Sequence, residues 1–175
     1  MRGQANPSVD TFLTIASRRE TKRFSGRPLP EGALERILDA GRLAGSGRNR
    51  QPWTFVVVPP AAIAPAVYDP VNLGGAAAAV AIVVRGKGPI SFDAGRAAQS
   101  MLLAAWSEGI GGTPNGIDDE EAARAVLGHD EEAKVATVLA FGYGVRQRDP
   151  SRHSPDEWSA RAARKPLDEV VRRVT

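Results

Sequence analysis

The sequence predicts an α+β or α/β fold built around one sheet. Short apolar and β-branched runs, which are typical of strands, are mostly separated by windows in which apolar residues recur at helical spacing. The chain has 175 residues, of which 42% are hydrophobic, so it can bury a core and is too apolar for a disordered chain. There is no repeat and no inner linker, which predicts one domain over residues 11–175 after a tail of residues 1–10.

Two helices and a loop are expected within the first fifty residues. Asp10 can cap a helix that reaches about Arg18. Residues 30–44 carry apolar side chains at helical spacing and predict a second helix. Glycines within residues 45–49 interrupt that pattern and predict a loop.

Three segments are predicted to be strands. Residues 54–58 are rich in β-branched side chains, are expected to be buried, and end at two prolines. Residues 76–85 form a second apolar run. Residues 134–141 form a third, which ends where Gly142 and Gly144 follow.

The remaining elements are predicted to be helices. Residues 92–108 form the longest helical window, and it is apolar around much of its circumference, as a central or interface helix should be. Asp118 and Glu121 have the spacing of a capping box that opens a helix ending near Leu127. Two further helices are expected near the C-terminus, at residues 155–163 and 166–174.

The positive charge of the chain is concentrated at its two ends. The net charge is +3, with ten Lys or Arg against five acids in residues 1–50 and eight against five in residues 146–175. Residues 118–132 hold seven acids and one Arg. The basic ends suggest either a nucleic-acid surface or a pocket for a small anion, while most of these charges are expected to be solvated. We find no nucleic-acid recognition motif and expect no nucleic-acid partner.

Several function classes are excluded by composition. The chain has no Cys and only two His residues, so a thiolate metal site, a Cys nucleophile and a His-built metal site are not expected. The longest apolar run, residues 76–84, is far shorter than the ~20 residues of a membrane helix. The first ten residues have no apolar core of a secretory signal, so a cytoplasmic protein without a membrane partner is expected.

A basic motif follows the first predicted helix. Within residues 17–24, four cations occur in six positions: Arg18, Arg19, Lys22 and Arg23. Arg offers a planar fork to phosphate oxygens and Lys a point charge, so the motif can surround a phosphate. The alternative is a solvated, positively charged helix C-terminus, which the helix dipole favours.

A second motif makes a family resemblance visible. Ser46 to Val58 reads S-G-R-N-R-Q-P-W-T-F-V-V-V and lies between a predicted helix and a predicted strand. With the basic motif and the helix that begins near Pro30, it resembles the nitroreductase family of FMN-dependent oxidoreductases. The resemblance continues in four segments and covers about residues 11–173: residues 93–105, 109–116, 141–143 and 164–171.

The resemblance implies a nitroreductase-like fold, with a central, mostly antiparallel sheet flanked by helices, in an intertwined homodimer that binds FMN at its interface. By this likeness, Arg18 and Arg19 hold the FMN phosphate and ribityl region. Lys22 lies near flavin N1 and O2, where a cation stabilises the negative charge of reduced flavin. Arg164 and Lys165 match the basic pair that closes over the phosphate.

Two further segments match positions next to the flavin ring. Gly45 and Ser46 match a loop that commonly comes from the partner subunit, and Asn49 and Gln51 match the polar positions after it. The alternative for this loop is a self-bonded turn. Residues 114–116, which are Pro114, Asn115 and Gly116, match a segment whose backbone N–H groups point at flavin N5 and O4. The alternative here is an ordinary turn.

The chain departs from the family pattern at three places. Glu20 stands where the family usually has Ser, and a carboxylate there repels a phosphate unless it points away or pairs with Arg19 or Arg23. Gly45 stands where many members have Pro. Residues 59–75 leave little room for lid helices, so an open, shallow substrate site is expected.

The resemblance implies hydride transfer from NAD(P)H to FMN and then reduction of a nitroaromatic or quinone by a ping-pong mechanism. No side chain is expected to act as an acid. Since no G-x-G-x-x-G follows a strand, NAD(P)H is expected to bind only by stacking on the flavin. The alternatives are a flavin or deazaflavin carrier, and a family member with another redox task such as dehalogenation or desaturation.

Overall fold

A computed structural model describes residues 11–174. The predicted cap at Asp10 and the tail of residues 1–10 lie outside this range. Two compact units are present: a larger one of residues 19–148, and a smaller one that contains residues 11–18 and 149–174. The prediction of one domain over residues 11–175 stays a prediction.

The larger unit is built on one antiparallel sheet. Its strands, in the spatial order β1-β2-β4-β3, are β1 (Trp53–Val58), β2 (Ala78–Arg85), β3 (Gly111–Asn115) and β4 (Ala133–Gly142). Every neighbouring pair is antiparallel, which confirms the predicted sheet.

Seven α-helices are present among the described residues. Four of them belong to the larger unit: α2 (Ala33–Arg42), α3 (Pro60–Ile63), α4 (Ile90–Ser107) and α5 (Glu120–Leu127). Three belong to the smaller unit: α1 (Thr11–Ser17), α6 (Pro155–Ala160) and α7 (Leu167–Val170). None of these described helices combines the length and the apolar character needed to cross a bilayer.

β2 lies at the centre of the core because both of its faces are covered. Alternate side chains, such as Ala81, pack in a cluster with Ile63 of α3. The side chains between them, such as Ile82, pack in a second cluster with Ile37 of α2 and Met101 of α4. A strand that is covered on both sides is apolar throughout, which explains the continuous apolar run in the sequence. The predicted α+β class with helices on both faces of the sheet is therefore confirmed.

β1 and β3 are the two edge strands, and sequence reasoning misjudged both. β1 was expected to be buried, but only Val58 is buried, since the strand pairs with β2 alone. β3 was not predicted as a strand, because Gly and Pro are rare in strands. Pro114 is tolerated in β3 because an edge strand leaves alternate main-chain groups outside the ladder.

The start of α5 lies one residue later than predicted. Asp119 is the N-cap, and its Oδ1 accepts a hydrogen bond of 2.9 Å from the Ala122 N–H. The Asp118–Glu121 capping box is therefore wrong. The main-chain N–H groups of Asp118 and Asp119 both donate to the Ala66 carbonyl, at 2.9 and 3.2 Å, which keeps both residues outside the helix.

The smaller unit packs α1 against α6. Trp158 of α6 donates its indole N–H to the Pro150 carbonyl at 2.8 Å. Ser154 and Glu157 form a capping box at the start of α6. Both C-terminal helices are shorter than predicted, since Ala163 has a left-handed φ of 50° and Val171 is extended.

Candidate active site

The segment after α1 is held against the sheet by main-chain hydrogen bonds. The Thr21 N–H donates to the Gly112 carbonyl of β3 at 3.2 Å. The Val145 N–H, just after β4, donates to the Arg23 carbonyl at 3.0 Å. Lys22 therefore lies between two residues that are anchored to different strands. Its backbone position depends on main-chain groups and not on neighbouring side chains.

A cleft of about 530 Å³ opens beside this anchored segment. Its walls include backbone at Gly109, Gly111 and Gly144; the space beside Gly109 is open, whereas the Thr21 side chain fills the space beside Gly111. Its charged lining consists of four cations and one carboxylate: Lys22, Arg23, Arg146, Arg148 and Glu20. A concave, positively charged surface of this kind attracts anions.

The positive charge of the cleft is not neutralised by neighbouring acids. None of its four cations forms an ion pair with any residue between 11 and 174. Glu108, which precedes Gly109, is engaged elsewhere, since the Arg36 guanidinium donates two hydrogen bonds of 2.7 Å to its carboxylate. These bonds hold the pKa of Glu108 below its ordinary value and raise the pKa of Arg36.

The outer edge of β3 is bridged at both ends and open between them. Thr21 bonds to Gly112 at one end, and the Tyr68 N–H donates to the Gly116 carbonyl at 3.1 Å just past the other. The Gly116 N–H has no acceptor among the residues described. Main-chain groups of successive strand residues alternate in direction, so those of Asn115 point toward β4, which it faces at Val138.

This geometry narrows the predicted set of flavin-facing donors. Pro114 has no N–H, and the N–H of Asn115 points toward β4 by the alternation of the strand. Gly116 is the one residue of the predicted segment whose N–H faces the open edge. The segment is therefore a strand end with a single free donor and not an ordinary turn.

The side chain of Asn115 is buried with one unsatisfied atom. Its Nδ2 donates to the Val138 carbonyl at 3.2 Å, which fixes the orientation of the amide. Its Oδ1 is buried and lacks a donor within the described chain. Buried polar atoms without partners are rare in folded proteins, and such an atom is available to a donor that a ligand supplies.

Tyr68 is a residue of this edge that sequence reasoning missed. Its ring is 71% exposed and lies on Gly116, where an added Cβ would approach the Tyr68 Cδ2 to 2.9 Å. No motif surrounds it, so only the fold brings it next to residue 116. Arg146 and Arg148 were also missed as site residues, although the count of basic residues near the C-terminus pointed to that region.

The loop of residues 45–51 is held mainly by side chains. The Ser46 Oγ accepts from the Gln51 N–H at 2.8 Å, and the buried Asp93 carboxylate accepts from the Gly47 N–H at 3.1 Å. Left-handed φ values of 53°, 55° and 48° occur at Arg48, Asn49 and Gln51. Such conformations cost free energy in residues with a Cβ, so specific contacts must hold the loop in this shape.

The predicted site residues thus fall in several places. Lys22 lines the basic cleft, Gly45, Ser46, Asn49 and Gln51 lie in the loop beside α4, and residues 114–116 form the end of β3. Arg19 is the first residue of the larger unit. Arg18, Arg164 and Lys165 belong to the smaller unit, where the Arg164 guanidinium donates to the Ala162 carbonyl at 2.9 Å. Their roles toward a cofactor stay predictions.

The donor set suits FMN better than a metal ion. A free backbone N–H, an unsatisfied amide oxygen and unpaired cations match the polar edge and the phosphate of this cofactor. In the stretch from residue 11 to 174, no three His, Asp or Glu side chains cluster as metal ligands would.

A family model and a curated relative both connect this chain to the same family. The model of the Nitroreductase family matches residues 15–89 and 89–143. A relative from Archaeoglobus fulgidus, provisionally named NADH dehydrogenase/NAD(P)H nitroreductase, is 31% identical over 160 residues. This match covers 81% of the present chain and 92% of the relative.

Solved structures share the fold at lower identity. A nitroreductase family protein from Clostridium difficile is 21% identical with a TM-score of 0.78, over 94% of this chain and 98% of its own. A protein from Desulfovibrio desulfuricans, provisionally named a nitroreductase and solved with FMN, is 22% identical with a TM-score of 0.76. That match covers 98% of both chains.

Proposed function

The chain belongs to the nitroreductase family, and on that basis we propose that it is an FMN-dependent oxidoreductase. The electrons come from NAD(P)H and go to an electron-poor acceptor such as a nitroaromatic or a quinone. Support comes from the relative whose name includes NAD(P)H nitroreductase and from the structural neighbour that contains FMN. A cytoplasmic location belongs to this proposal and suits a chain without Cys.

The open outer edge of β3 is the observation that carries the proposal. FMN, when bound, supplies a redox centre that accepts a hydride from NAD(P)H and passes electrons on to the acceptor. The free N–H of Gly116 is the donor on this chain toward the polar edge of the ring system. The missing side chain of Gly116 makes room for the Tyr68 ring, which lies on it.

Lys22 is the proposed electrostatic partner of the reduced cofactor. The backbone of its segment is anchored on both sides, so the lysine side chain extends from a fixed point of the cleft wall. A cation beside the cofactor stabilises the negative charge that reduction creates. The chain itself contributes binding, orientation and charge, and no side chain is assigned a proton transfer.

We propose a homodimer in which the loop of residues 45–51 serves the partner's cofactor. The outer face of α4 supports this arrangement, since Phe92 is 67% exposed there and an exposed large apolar side chain often marks an interface. An added Cβ on Gly45 would lie 3.0 Å from the Arg96 Cζ, and Arg96 lies beside the Phe92 ring, so the loop adjoins that face. Light scattering of the purified protein should give twice the mass of 18.5 kDa.

The first experiment is a visible absorption spectrum of the protein before and after incubation with FMN and desalting. A retained flavin spectrum that NADH bleaches without oxygen is the expected result. Lys22→Ala should lower the rate of bleaching about tenfold or more, because a preorganised charge is lost. The matched control is Lys134→Ala, an exposed lysine on β4 outside the cleft. A protein that retains no FMN would contradict the proposal.

One observation favours a second candidate function, a flavin or deazaflavin carrier with little turnover. Glu20 lies in the basic cleft, where a carboxylate weakens the attraction for phosphate. The same experiment separates the two functions, because a carrier retains the flavin spectrum and is not bleached by NADH.

A further inference from the structure

Three arginines of the cleft have no role in the proposed cofactor site. Arg23, Arg146 and Arg148 line it together with Lys22, yet none belongs to the residues assigned to FMN. All three are exposed and none is paired with a carboxylate of the described chain. With Lys22, these three guanidinium groups exceed the single carboxylate of the cleft, Glu20, so the concavity carries an excess of positive charge that attracts an anion.

The backbone places Arg23 and Arg146 on neighbouring segments. Phe24 and Gly144 form an antiparallel bridge, with the Ser25 N–H donating to the Tyr143 carbonyl at 2.8 Å. The chain turns tightly after the bridge, since an added Cβ on Gly144 would lie 3.0 Å from the Arg146 carbonyl. Arg23 and Arg146 are thus carried by two segments whose spacing the bridge fixes.

We propose that Arg146 and Arg148, with Arg23, form a subsite for the diphosphate of the nicotinamide dinucleotide reductant. Arginine forks match phosphate oxygens bidentately, and several forks around one cleft favour a ligand with more than one phosphate. This inference rests on the proposed function. It replaces the expectation that NAD(P)H binds by stacking alone.

The position of the three arginines beside Lys22 favours the reductant as their ligand. Lys22, which shares the cleft, is assigned to the ring edge of FMN and not to its phosphate. The nicotinamide must reach that ring to deliver its hydride, so the rest of the dinucleotide lies in the adjoining space. The three arginines in this space are therefore placed to bind the diphosphate of the reductant.

The test measures the binding of ADP, which carries the diphosphate and the adenosine of the reductant. The Kd for ADP is measured by calorimetric titration of FMN-saturated protein. The double variant Arg146→Ala/Arg148→Ala should raise this Kd about tenfold or more, because each hydrogen bond to a charged group contributes about a factor of ten in affinity. The control variant Arg42→Ala/Lys134→Ala removes two exposed charges outside the cleft and should leave this Kd unchanged.

A kinetic measurement adds a second readout. The double arginine variant should raise the KM for NADH by the same factor. It should leave unchanged the KM for N-benzyl dihydronicotinamide, a reductant without phosphate.

Two results would overturn the proposal. One is an ADP affinity that the double arginine variant does not change. The other is a weakened FMN affinity in that variant, titrated by quenching of flavin fluorescence, because the cleft would then hold the cofactor's own phosphate. Wild-type protein that binds no FMN refutes the proposed function instead, so the two failures are distinguishable.

Discussion

Two segments of the larger unit are predicted to contact FMN, and the structure stabilises them in different ways. The segment of residues 19–26 is held by main-chain hydrogen bonds to β3 and to the end of β4. The loop of residues 45–51 is joined to the rest of the unit by side chains, the Asp93 carboxylate and the Arg50 guanidinium, while the Ser46 hydroxyl and two short main-chain hydrogen bonds stabilise it internally. The first has ordinary backbone angles at its side-chain-bearing residues, whereas the second has three left-handed ones.

The difference determines which substitutions each segment tolerates. Main-chain anchoring makes the backbone position of the segment depend little on which side chains it carries. Side-chain anchoring makes the loop depend on a few residues outside it. We therefore expect the anchored segment to respond to steric changes in the sheet, and the loop to respond to the loss of single hydrogen bonds.

Gly111→Ala should have the largest effect, and it acts on the anchored segment. An added Cβ would lie 2.7 Å from the Thr21 Cβ, an overlap that no rotation of the threonine relieves. We expect a loss of about 1–3 kcal/mol in the free energy of unfolding, measured in urea, together with weaker FMN binding. Thr21→Gly should restore much of both in the double variant. Additive losses in this double-mutant cycle would argue against the contact.

Asp93→Ala should have the next largest effect, and it acts on the loop. The carboxylate is 3% exposed, and its removal leaves the Gly47 N–H without its acceptor. We expect a loss of about 1–3 kcal/mol in the free energy of unfolding and faster proteolysis within residues 45–51. Glu31→Ala, at an exposed carboxylate, is the control. Unchanged proteolysis in the Asp93 variant would show that the loop is held by other contacts.

Substitutions at Arg48 sharpen the comparison further. Arg48 has a φ of 53°, which glycine adopts without strain. Arg48→Gly should therefore raise the free energy of unfolding by less than about 1 kcal/mol, because relief of strain exceeds the added chain entropy only slightly. Arg48→Val should lower it, since a β-branched residue fits this region poorly. Calorimetric melting temperatures in the opposite order would contradict a strained loop.

The smallest effect on stability is expected when Glu108, next to the cleft, loses its charge. Because the folded pKa of Glu108 is lowered, the stability from its pair with Arg36 is fully present above the ordinary value of 4.5. That stability is lost as the pH falls through the lowered folded pKa. Glu108→Gln should remove this acid dependence from urea unfolding curves. The side chains are 29% and 56% exposed, so solvent screening keeps the effect small.

Sequence reasoning predicted most of the fold from the periodicity of particular segments. β2 and α4 were predictable because an apolar run and a helical repeat are local signals of burial. β3 was not predictable, since its Gly and Pro residues are acceptable only at a sheet edge, and strand order is a tertiary property. The shift of the α5 cap from Asp118 to Asp119 has the same origin, because the Ala66 carbonyl, which is distant in sequence, accepts from the main-chain N–H groups of both residues and keeps both outside the helix.

The sequence by itself determined the fold class, the family and the three motifs that carry the likeness. Local pattern and residue chemistry suffice for these, since they depend on which residues occur and at what spacing. Only the tertiary structure decided that Gly116 bears the free N–H, that Tyr68 lies on it, and that Arg146 and Arg148 share a cleft with Lys22. These facts depend on hydrogen bonds between segments far apart in the chain, whose register no local pattern encodes.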